Sequence, residues 1–477
     1  MTLAAVFIQA RKCPREFWVM IVLKILFSYS YFTLSTVLVV YLSNDHNFSD
    51  MSAAGMYSAW AIFMSLYQFA AGPVIDYLQI RRSLIFGSLM TTIGMFMLAF
   101  TFNNVILVGI ALFFFIPLGS AYLLTVVDIG GKRYSEGISN AIYIVFSIFY
   151  SGSNVGALLA GVTNEFLRDQ FGPKGLKYVE RHATAERMTI MAGAIMTSVA
   201  GLIAALIINE APLQTQADLD ATNAHMPGTV PPPLSSPASA GRTSRCWPFW
   251  RAITWLKADV IPVLKNVYFQ KLIMFNASLI GVLTLFRHLD STFPKVILRA
   301  FGPGAHYAAL YSINPFLLIF ITPFIGAYVA RFDIYNVMIV GTMVSAFSMF
   351  IMAFEMTTLS VIAWSFIFTL GEAIYSPQTR IYVMAVAPEG REGMYASLVY
   401  APNLLSKIIV GPMSGYLLET YCPQHGPYDQ CHNVWINIGF VGVMTPFLLM
   451  VLKRFIHTDA VSVRINARKE ERFASVE

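Results

Sequence analysis

The chain has 477 residues, of which 56 % are apolar, 14 % aromatic and 12 % charged, and its mean hydropathy is +0.61. Charged residues make up only about half of the roughly 25 % that is usual in soluble domains, which is too few to cover a soluble globule of this size. The aromatic content excludes a disordered chain, and the net charge of +6 comes without a basic domain, which excludes a nucleic-acid-binding protein. A polytopic membrane protein remains.

Twelve apolar stretches are each long enough to cross a bilayer, which takes about 20 residues of helix. They are continuous and lack the alternation of barrel strands, so the sequence predicts an all-α polytopic membrane protein. In chain order, the predicted spans cover residues 17–42, 51–78, 83–101, 104–127, 136–163, 187–209, 267–289, 305–329, 333–354, 357–385, 392–420 and 433–455.

The connections between the spans carry 20 Lys and Arg residues on one side and 7 on the other. Because basic residues collect on the cytosolic side, both termini, residues 1–16 and 456–477, are predicted to be cytosolic, in the plasma membrane or an internal one. The other side is then an oxidising space, in which we expect a disulfide between Cys422 and Cys431; two free thiols are the alternative. Asn47 opens an Asn-Phe-Ser glycosylation sequon on the same side.

Residues 210–265 separate two sets of six spans. The first part of this segment contains PGTVPPPLSSPASAG, whose composition is typical of a disordered cytosolic tether. We interpret its function as connection, with regulation as the alternative. The organisation predicts two pseudo-symmetric six-helix bundles, residues 17–209 and 266–455, that rock about a site near the midplane of the bilayer.

The stretch between spans two and three reads GPVIDYLQIRR and holds Gly72, Asp76, Arg81 and Arg82. It resembles the loop motif of the major facilitator superfamily, with Gln79 and Ile80 where the family has a second glycine. The resemblance implies the twelve-helix major facilitator fold. It also implies an inner latch, in which we expect Arg81 to pair with Asp128 at the inner end of span four.

Three further stretches resemble the proton-dependent oligopeptide transporters. They are FSIFYSGSNVGALLAG with Asn154, SINPFLLIFITPFIGA with Asn314, and LGEAIYSP with Glu372. The similarity runs from about residue 15 to residue 455, excluding the tether. The family carries Glu-x-x-Glu-Arg in span one, whereas this chain reads VLKILFSYSYF there and lacks those acids.

Ionisable residues inside the bilayer cost at least about 2.5–3.5 kcal/mol and persist where a partner or a water-filled cavity receives them. Glu372 lies deep in span ten, and the resemblance implies that it faces the amino group of a peptide. From the residues alone, a structural ion pair and a proton site are the alternatives. Lys24 and Lys407 are candidates for the carboxylate of the substrate, and we expect them to pair with Glu372 when the site is empty. Snorkelling to the inner surface is the alternative for Lys24.

The remaining candidates have similar alternatives. Asn154 and Asn314 are substrate contacts or helix–helix hydrogen bonds, and the tyrosines line the cavity or pack. Arg287 and Asp290 form an extracellular gate pair or a solvated helix end. The candidate substrate-binding residues are Glu372, Asn154, Asn314, Lys24, Tyr29, Tyr31, Lys407 and Tyr400, and the candidate gating and motif residues are Gly72, Asp76, Arg81, Arg82, Asp128, Arg287, Asp290 and Arg380.

The sequence thus predicts a monomeric secondary transporter that works by alternating access. Its expected substrates are short peptides or related small zwitterionic or anionic solutes, coupled to protons if Glu372 titrates. A major facilitator transporter for amino acids, nitrate or another organic anion is the first alternative, and a transporter-like receptor that does not transport is the second. We expect no enzyme chemistry, no cofactor and no metal, because the sequence holds neither a nucleotide-binding loop nor a His and Cys pattern with metal spacing.

Overall fold

The computed structural model describes residues 14–101, 104–135, 141–171, 184–209, 265–329, 332–386 and 403–457. Within these ranges the chain forms fifteen α-helices and one π-helical turn, and no strand. In the first half the helices are α1 (Arg15–Ser35), α2 (Leu38–His46), α3 (Asp50–Phe100), α4 (Val105–Ile110), the π-turn (Ala111–Phe115), α5 (Ile116–Ser135), α6 (Ala141–Phe171) and α7 (Ala185–Ile207). In the second half they are α8 (Val267–Ser278), α9 (Ile280–Ser291), α10 (Phe293–Ala300), α11 (Tyr307–Val329), α12 (Ile334–Phe354), α13 (Thr358–Val386), α14 (Asn403–Tyr421) and α15 (His432–Ile456).

The described residues of each of the twelve predicted spans coincide with helical chain, although several spans are interrupted. Residues 136–140 of span five and 392–402 of span eleven lie outside the described chain. Span one is α1 followed by α2, and span seven is α8 followed by α9, two helices that meet at a bend of 48°. Seven of the described helices are long and apolar enough to cross a membrane, and the bent pair is an eighth. The chain is therefore an all-helical, multi-pass membrane protein, as predicted.

Spans two and three join in α3 with a break at Gln79. This residue has φ 66° and ψ 173°, a backbone conformation that favours glycine. Holding a residue with a side chain in such a conformation costs of order 1–3 kcal/mol. The break lies at the point where the sequence departs from the glycine of the family motif, so the turn is made there without the residue best suited to it.

The buried apolar residues of the described chain form three clusters. Two of them draw on residues between Phe17 and Ile208, and the third draws on residues between Phe269 and Ile456. Each half therefore has buried apolar cores of its own, and Trp60, Trp364 and Trp435 are fully buried within them.

A close glycine contact recurs in the two halves. A Cβ atom on Gly119 of α5 would lie 2.6 Å from the carbonyl oxygen of Gly87 in α3. A Cβ atom on Gly371 of α13 would lie 2.8 Å from the carbonyl oxygen of Gly341 in α12. In each half, the third and fourth spans thus approach each other closely at equivalent glycines. This agrees with the pseudo-symmetry of the two halves that the sequence predicts.

The two halves make their most extensive contacts along two pairs of helices, α3 with α14 and α6 with α11. On the first pair, a Cβ atom on Gly415 would lie 2.6 Å from the Cα atom of Met51. On the second, Asn164 donates a hydrogen bond to the hydroxyl of Tyr307, at 3.2 Å. Both contacts lie towards the side of the protein opposite the termini, because α3 and α11 begin there.

Candidate functional site

Glu372 lies on α13 where the two halves face each other. Its side chain is largely buried, with 9 % of the residue exposed. Oε1 accepts a hydrogen bond from the hydroxyl of Tyr150 on α6, at 3.1 Å, and Oε2 accepts one from Nδ2 of Asn314 on α11, at 2.9 Å. The carboxylate therefore joins the first half of the chain to the second. Sequence reasoning identified Glu372 and Asn314 but missed Tyr150.

Two further hydrogen bonds are made by asparagines near this carboxylate. Nδ2 of Asn314 also donates to Oγ1 of Thr369, at 3.0 Å, which lies one turn before Glu372 on α13. Asn154 donates to the carbonyl oxygen of Tyr150 one turn earlier on α6, at 3.0 Å. Asn314 thus contacts Glu372 directly, whereas Asn154 bonds within its own helix beside the tyrosine.

The two candidate lysines bind groups other than Glu372. Nζ of Lys24 forms an ion pair with Asp128 at 2.8 Å. Nζ of Lys407 donates to Oγ of Ser65, at 2.6 Å, and lies 3.4 Å from the carbonyl oxygen of Ala61, both on α3. The predicted pairing of these lysines with Glu372 is therefore wrong for this state of the protein. Within the described part of the chain, Lys407 has no carboxylate within ion-pair distance.

The predicted latch between Arg81 and Asp128 is also wrong, because Asp128 binds Lys24 instead. Arg81 donates through Nη2 to the carbonyl oxygen of Ala205 on α7. Arg82 is exposed. The candidates whose side chains lie outside the described structure are Gly72, Asp76, Arg380 and Tyr400.

Asp290 is the centre of a buried network between the halves. Only 3 % of it is exposed. Oδ2 accepts hydrogen bonds from the hydroxyls of Ser35, at 2.8 Å, and Tyr57, at 3.0 Å, and Oδ1 accepts one from Tyr311, at 3.1 Å. Ser35 and Tyr57 belong to the first half and Tyr311 to the second. The interpretation of this residue as part of a solvated helix end is therefore wrong.

Arg287 extends the same network. Its Nη1 lies 3.6 Å from Oδ2 of Asp290 and donates to the hydroxyl of Tyr31 on α1, at 3.0 Å. The Tyr31 ring stacks on Trp60, with the ring centroids 5.6 Å apart. Tyr29, by contrast, is 6 % exposed, and its hydroxyl is hydrogen-bonded to Thr163 on α6. Of the candidate tyrosines with a described position, Tyr31 contacts a charged group of the opposite half.

A second ionic contact between the halves lies at the start of α3. Oδ1 of Asp50 binds Nζ of Lys295 at 2.6 Å, and Oδ2 lies 2.8 Å from Nη1 of Arg299, both on α10. Lys295 also donates to Oγ of Ser43, at 2.6 Å. Burial alone would raise the pKa of Asp50, but the hydrogen bond from Arg299 and the charge of Lys295 hold that pKa below its ordinary value. Sequence reasoning missed this triad of Asp50, Lys295 and Arg299.

The extramembrane loop after α14 is closed by a bond between the Sγ atoms of Cys422 and Cys431. The carbonyl oxygen of Cys422 accepts a hydrogen bond from Nη1 of Arg299, at 2.5 Å. The loop therefore supports one member of the triad. Asn47 ends α2 with an exposed side chain and φ 57°, which leaves the predicted glycosylation site accessible.

We expect Cys422 and Cys431 to resist alkylation in the folded protein until a reductant is added. Nine positions separate them, so the closed loop is short and the stabilisation is modest, about 2–3 kcal/mol. Mass spectrometry of the non-reduced peptide checks the bond. Alkylation of both thiols without reductant would contradict it, and the same protein alkylated after reduction is the control.

Neither a protein-family model nor a curated protein sequence matches the chain. Several solved transporter structures do. A POT family transporter in complex with 5-aminolevulinic acid aligns with a TM-score of 0.67 and 16 % identity over 93 % of this chain and 97 % of that one. A proton-dependent oligopeptide transporter solved for its substrate recognition aligns with a TM-score of 0.68 and 15 % identity over 94 % and 99 %.

A third similar structure is a mutant of the nucleoside transporter NupG, with a TM-score of 0.64 and 16 % identity over 91 % of this chain and 99 % of that one. At these identities the likeness establishes the fold. The similarity covers almost the whole length of each protein, including both six-span halves. The chain therefore has the major facilitator fold of the POT family transporters, which it resembles in sequence motifs as well.

Proposed function

We propose that this protein is a secondary transporter that moves short peptides, or related small zwitterionic or anionic solutes, by alternating access. The observation that carries the proposal is the position of Glu372, a carboxylate held between the halves by Tyr150 and Asn314. A substrate that binds there contacts both halves at once. It can therefore favour their movement relative to each other, which is what alternating access requires.

Glu372 is suited to receive a substrate ammonium group. Such a group must leave water when it enters the protein, and a carboxylate that is already oriented offsets this cost through a charge-assisted hydrogen bond. Its described donors, Tyr150 and Asn314, are neutral and hold the two oxygens in place. The neighbouring POT structure holds 5-aminolevulinic acid, a small molecule with an amino group and a carboxyl group, which is the chemistry proposed here.

Lys407 is the better of the two lysines for the negative end of the substrate. Lys24 is already paired with Asp128, whereas the described partners of Lys407 are a hydroxyl and a carbonyl oxygen. A substrate carboxylate would supply the negative charge that these partners lack. Glu372 and Lys407 together would then orient a zwitterion across the space between the halves.

The contacts described above support a cycle in which one side opens while the other closes. The Asp290 network and the triad around Asp50 join the halves on the side opposite the termini. We infer that this side is closed in the present state. By the charge pattern of the loops it is the extracellular or lumenal side, so substrate entering from there must first break these bonds.

A transporter for organic anions is the second candidate function. It is favoured by Lys407 and Arg287, two cationic groups placed where the halves meet. The anionic group of such a substrate would bind Lys407, and the substrate would have no ammonium group to contact Glu372.

Uptake of labelled di- and tripeptides into proteoliposomes tests the proposal. Saturable peptide uptake supports it, and accumulation that depends on an imposed pH gradient adds proton coupling. Uptake of nitrate or of an organic anion without peptide uptake would favour the second candidate. Specific peptide binding with no transport in either direction would make the protein a receptor instead.

A further inference from the structure

Three potential metal ligands converge at the side of the protein opposite the termini. Glu165 and Asp169 are four residues apart on α6, which places them on the same face of that helix. His306 precedes α11, in the other half of the chain. One ligand atom from each lies within 4.8 Å of the other two. We call these three residues the outer triad.

Glu165 is held in position for such a role. Oε2 accepts a hydrogen bond from the backbone N–H of Ala309 in the first turn of α11, at 3.1 Å, and Oε1 contacts Nδ1 of His306. Only 17 % of its side chain is exposed, compared with 67 % for His306. The carboxylate is thus oriented by the protein, while Asp169 and, apart from its contact with Glu165, the imidazole are exposed to solvent.

The chemistry of the outer triad fits Zn²⁺. One imidazole and two carboxylates give three protein ligands, and water can take the fourth position of a tetrahedron. Bond lengths of about 2.0–2.2 Å place tetrahedral ligand atoms roughly 3.5 Å apart, so small side-chain rotations close the present spacing. Calcium and magnesium prefer sites built from oxygen atoms alone, and a nitrogen ligand disfavours them.

Arg168 precedes Asp169 in the sequence, and the contacts described for its guanidinium are with other groups. Its guanidinium lies 4.3 Å from the centroid of the Tyr307 ring, and Nη2 donates to the carbonyl oxygen of Pro303, at 3.2 Å. Within the described chain it forms no ion pair with Glu165 or Asp169. The two carboxylates are therefore not neutralised by this neighbour.

We propose that the outer triad binds Zn²⁺ and that the bound ion holds the two halves together on this side. Two ligands belong to α6 and the third to the segment before α11, so coordination links the halves directly. The ion stabilises the state in which this side is closed, because separation would break a metal bond. The consequence for transport rests on the proposed function, whereas the binding of the ion does not.

Zinc titration of the full-length protein in nanodiscs, against a competing chromophoric chelator, tests the site. We expect one Zn²⁺ ion per chain, with affinity at least about tenfold weaker in His306→Ala and in Asp169→Asn. The matched control is His425→Ala, which removes an exposed histidine from the loop after α14 on the same side. Equal zinc affinity in the parent and His306→Ala would overturn the proposal.

The effect of Zn²⁺ on the distance between the two halves is measured in a separate experiment. We expect Zn²⁺ to narrow the distribution of distances between spin labels placed on this side, one in each half, and a chelator to restore it. Zinc that binds to the parent without changing these distances would contradict the linkage.

In proteoliposomes that take up peptide, zinc added on this side should slow uptake by the parent and should leave uptake by His306→Ala unchanged. If no peptide is taken up at all, the proposed function fails, while the titration still decides the zinc site.

Discussion

Replacing Glu372 by glutamine is expected to abolish peptide uptake and to weaken peptide binding by roughly 10- to 150-fold. The estimate follows from the loss of a hydrogen bond to a charged group, worth about 1.5–3 kcal/mol. The glutamine keeps the shape of the side chain and one oxygen that can accept from Tyr150 or Asn314. Folding and membrane insertion should therefore survive, which size-exclusion chromatography and thermal unfolding in detergent can check.

The matched control for this variant is Glu355→Gln. Glu355 is an exposed acid at the end of α12, so its substitution removes the same charge away from the contact between the halves. Equilibrium binding and uptake should both be measured. Normal binding and uptake in Glu372→Gln would refute the assignment. Intact binding with loss only of proton-driven accumulation would make Glu372 the coupling site instead of the ammonium site.

The helical spans could be predicted from the sequence because each is a continuous apolar run of sufficient length. The bend within span seven could not, because it falls at Leu279, an ordinary apolar residue with no proline or glycine beside it on the N-terminal side. The break at Gln79 lies in the predicted connection between spans two and three. Its backbone conformation, which glutamine rarely adopts, could not be predicted from the local composition.

The candidate site was predictable to the extent that it lies within motifs. Glu372 and Asn314 stand in stretches that resemble a known family, and the structure places them in contact. Tyr150 is 222 positions from Glu372, and Ser35 is 255 positions from Asp290. Such pairings depend on how the two halves dock, which hydropathy does not encode.

The charges at the ends of spans illustrate the same limit. Lys24 was expected to face the substrate or the inner surface, and it pairs with Asp128 because α1 and α5 lie side by side. Asp50 was not singled out, since an acid at the start of a helix is commonly solvated there. The rotation of each helix about its own axis decides which charges meet, and an apolar pattern of low amphipathicity does not fix that rotation.

We expect Asp50→Asn to shift the protein towards a state that is open on the side opposite the termini. Asp50 is 7 % exposed, and its partner Lys295 is 5 % exposed, so the substitution leaves buried positive charge without its counter-ion. Breaking a buried ion pair from one side costs about 3–5 kcal/mol. The lower end of this energy range applies here, because Lys295 retains its hydrogen bond to Ser43 and Arg299 retains its hydrogen bond to the carbonyl oxygen of Cys422. About 3 kcal/mol corresponds to a change of roughly 150-fold in the ratio of closed to open protein.

The same contact has a defined pH dependence. The pKa of Asp50 lies below its ordinary value of 3.8 in this state, so its stabilising effect is complete above that value and is lost as the pH falls through the lowered pKa. The Asp50 contact therefore remains intact at neutral and mildly acidic pH. We expect the distances across this side to be insensitive to Asp50 protonation between about pH 5 and pH 8.

Spin labels on Asn44→Cys in α2 and Tyr428→Cys in the disulfide loop measure the opening, with Cys13 and Cys246 replaced by serine. Both label positions are exposed, and they belong to different halves on the side that should open. The distance between the labels should lengthen in Asp50→Asn and stay unchanged in Asp429→Asn, which removes an exposed acid of the same loop. An unchanged distance in Asp50→Asn would show that the Asp290 network keeps this side closed without the ion pairs of Asp50 with Lys295 and Arg299. A rise in distance in both variants would trace the effect to surface charge rather than to the buried ion pair.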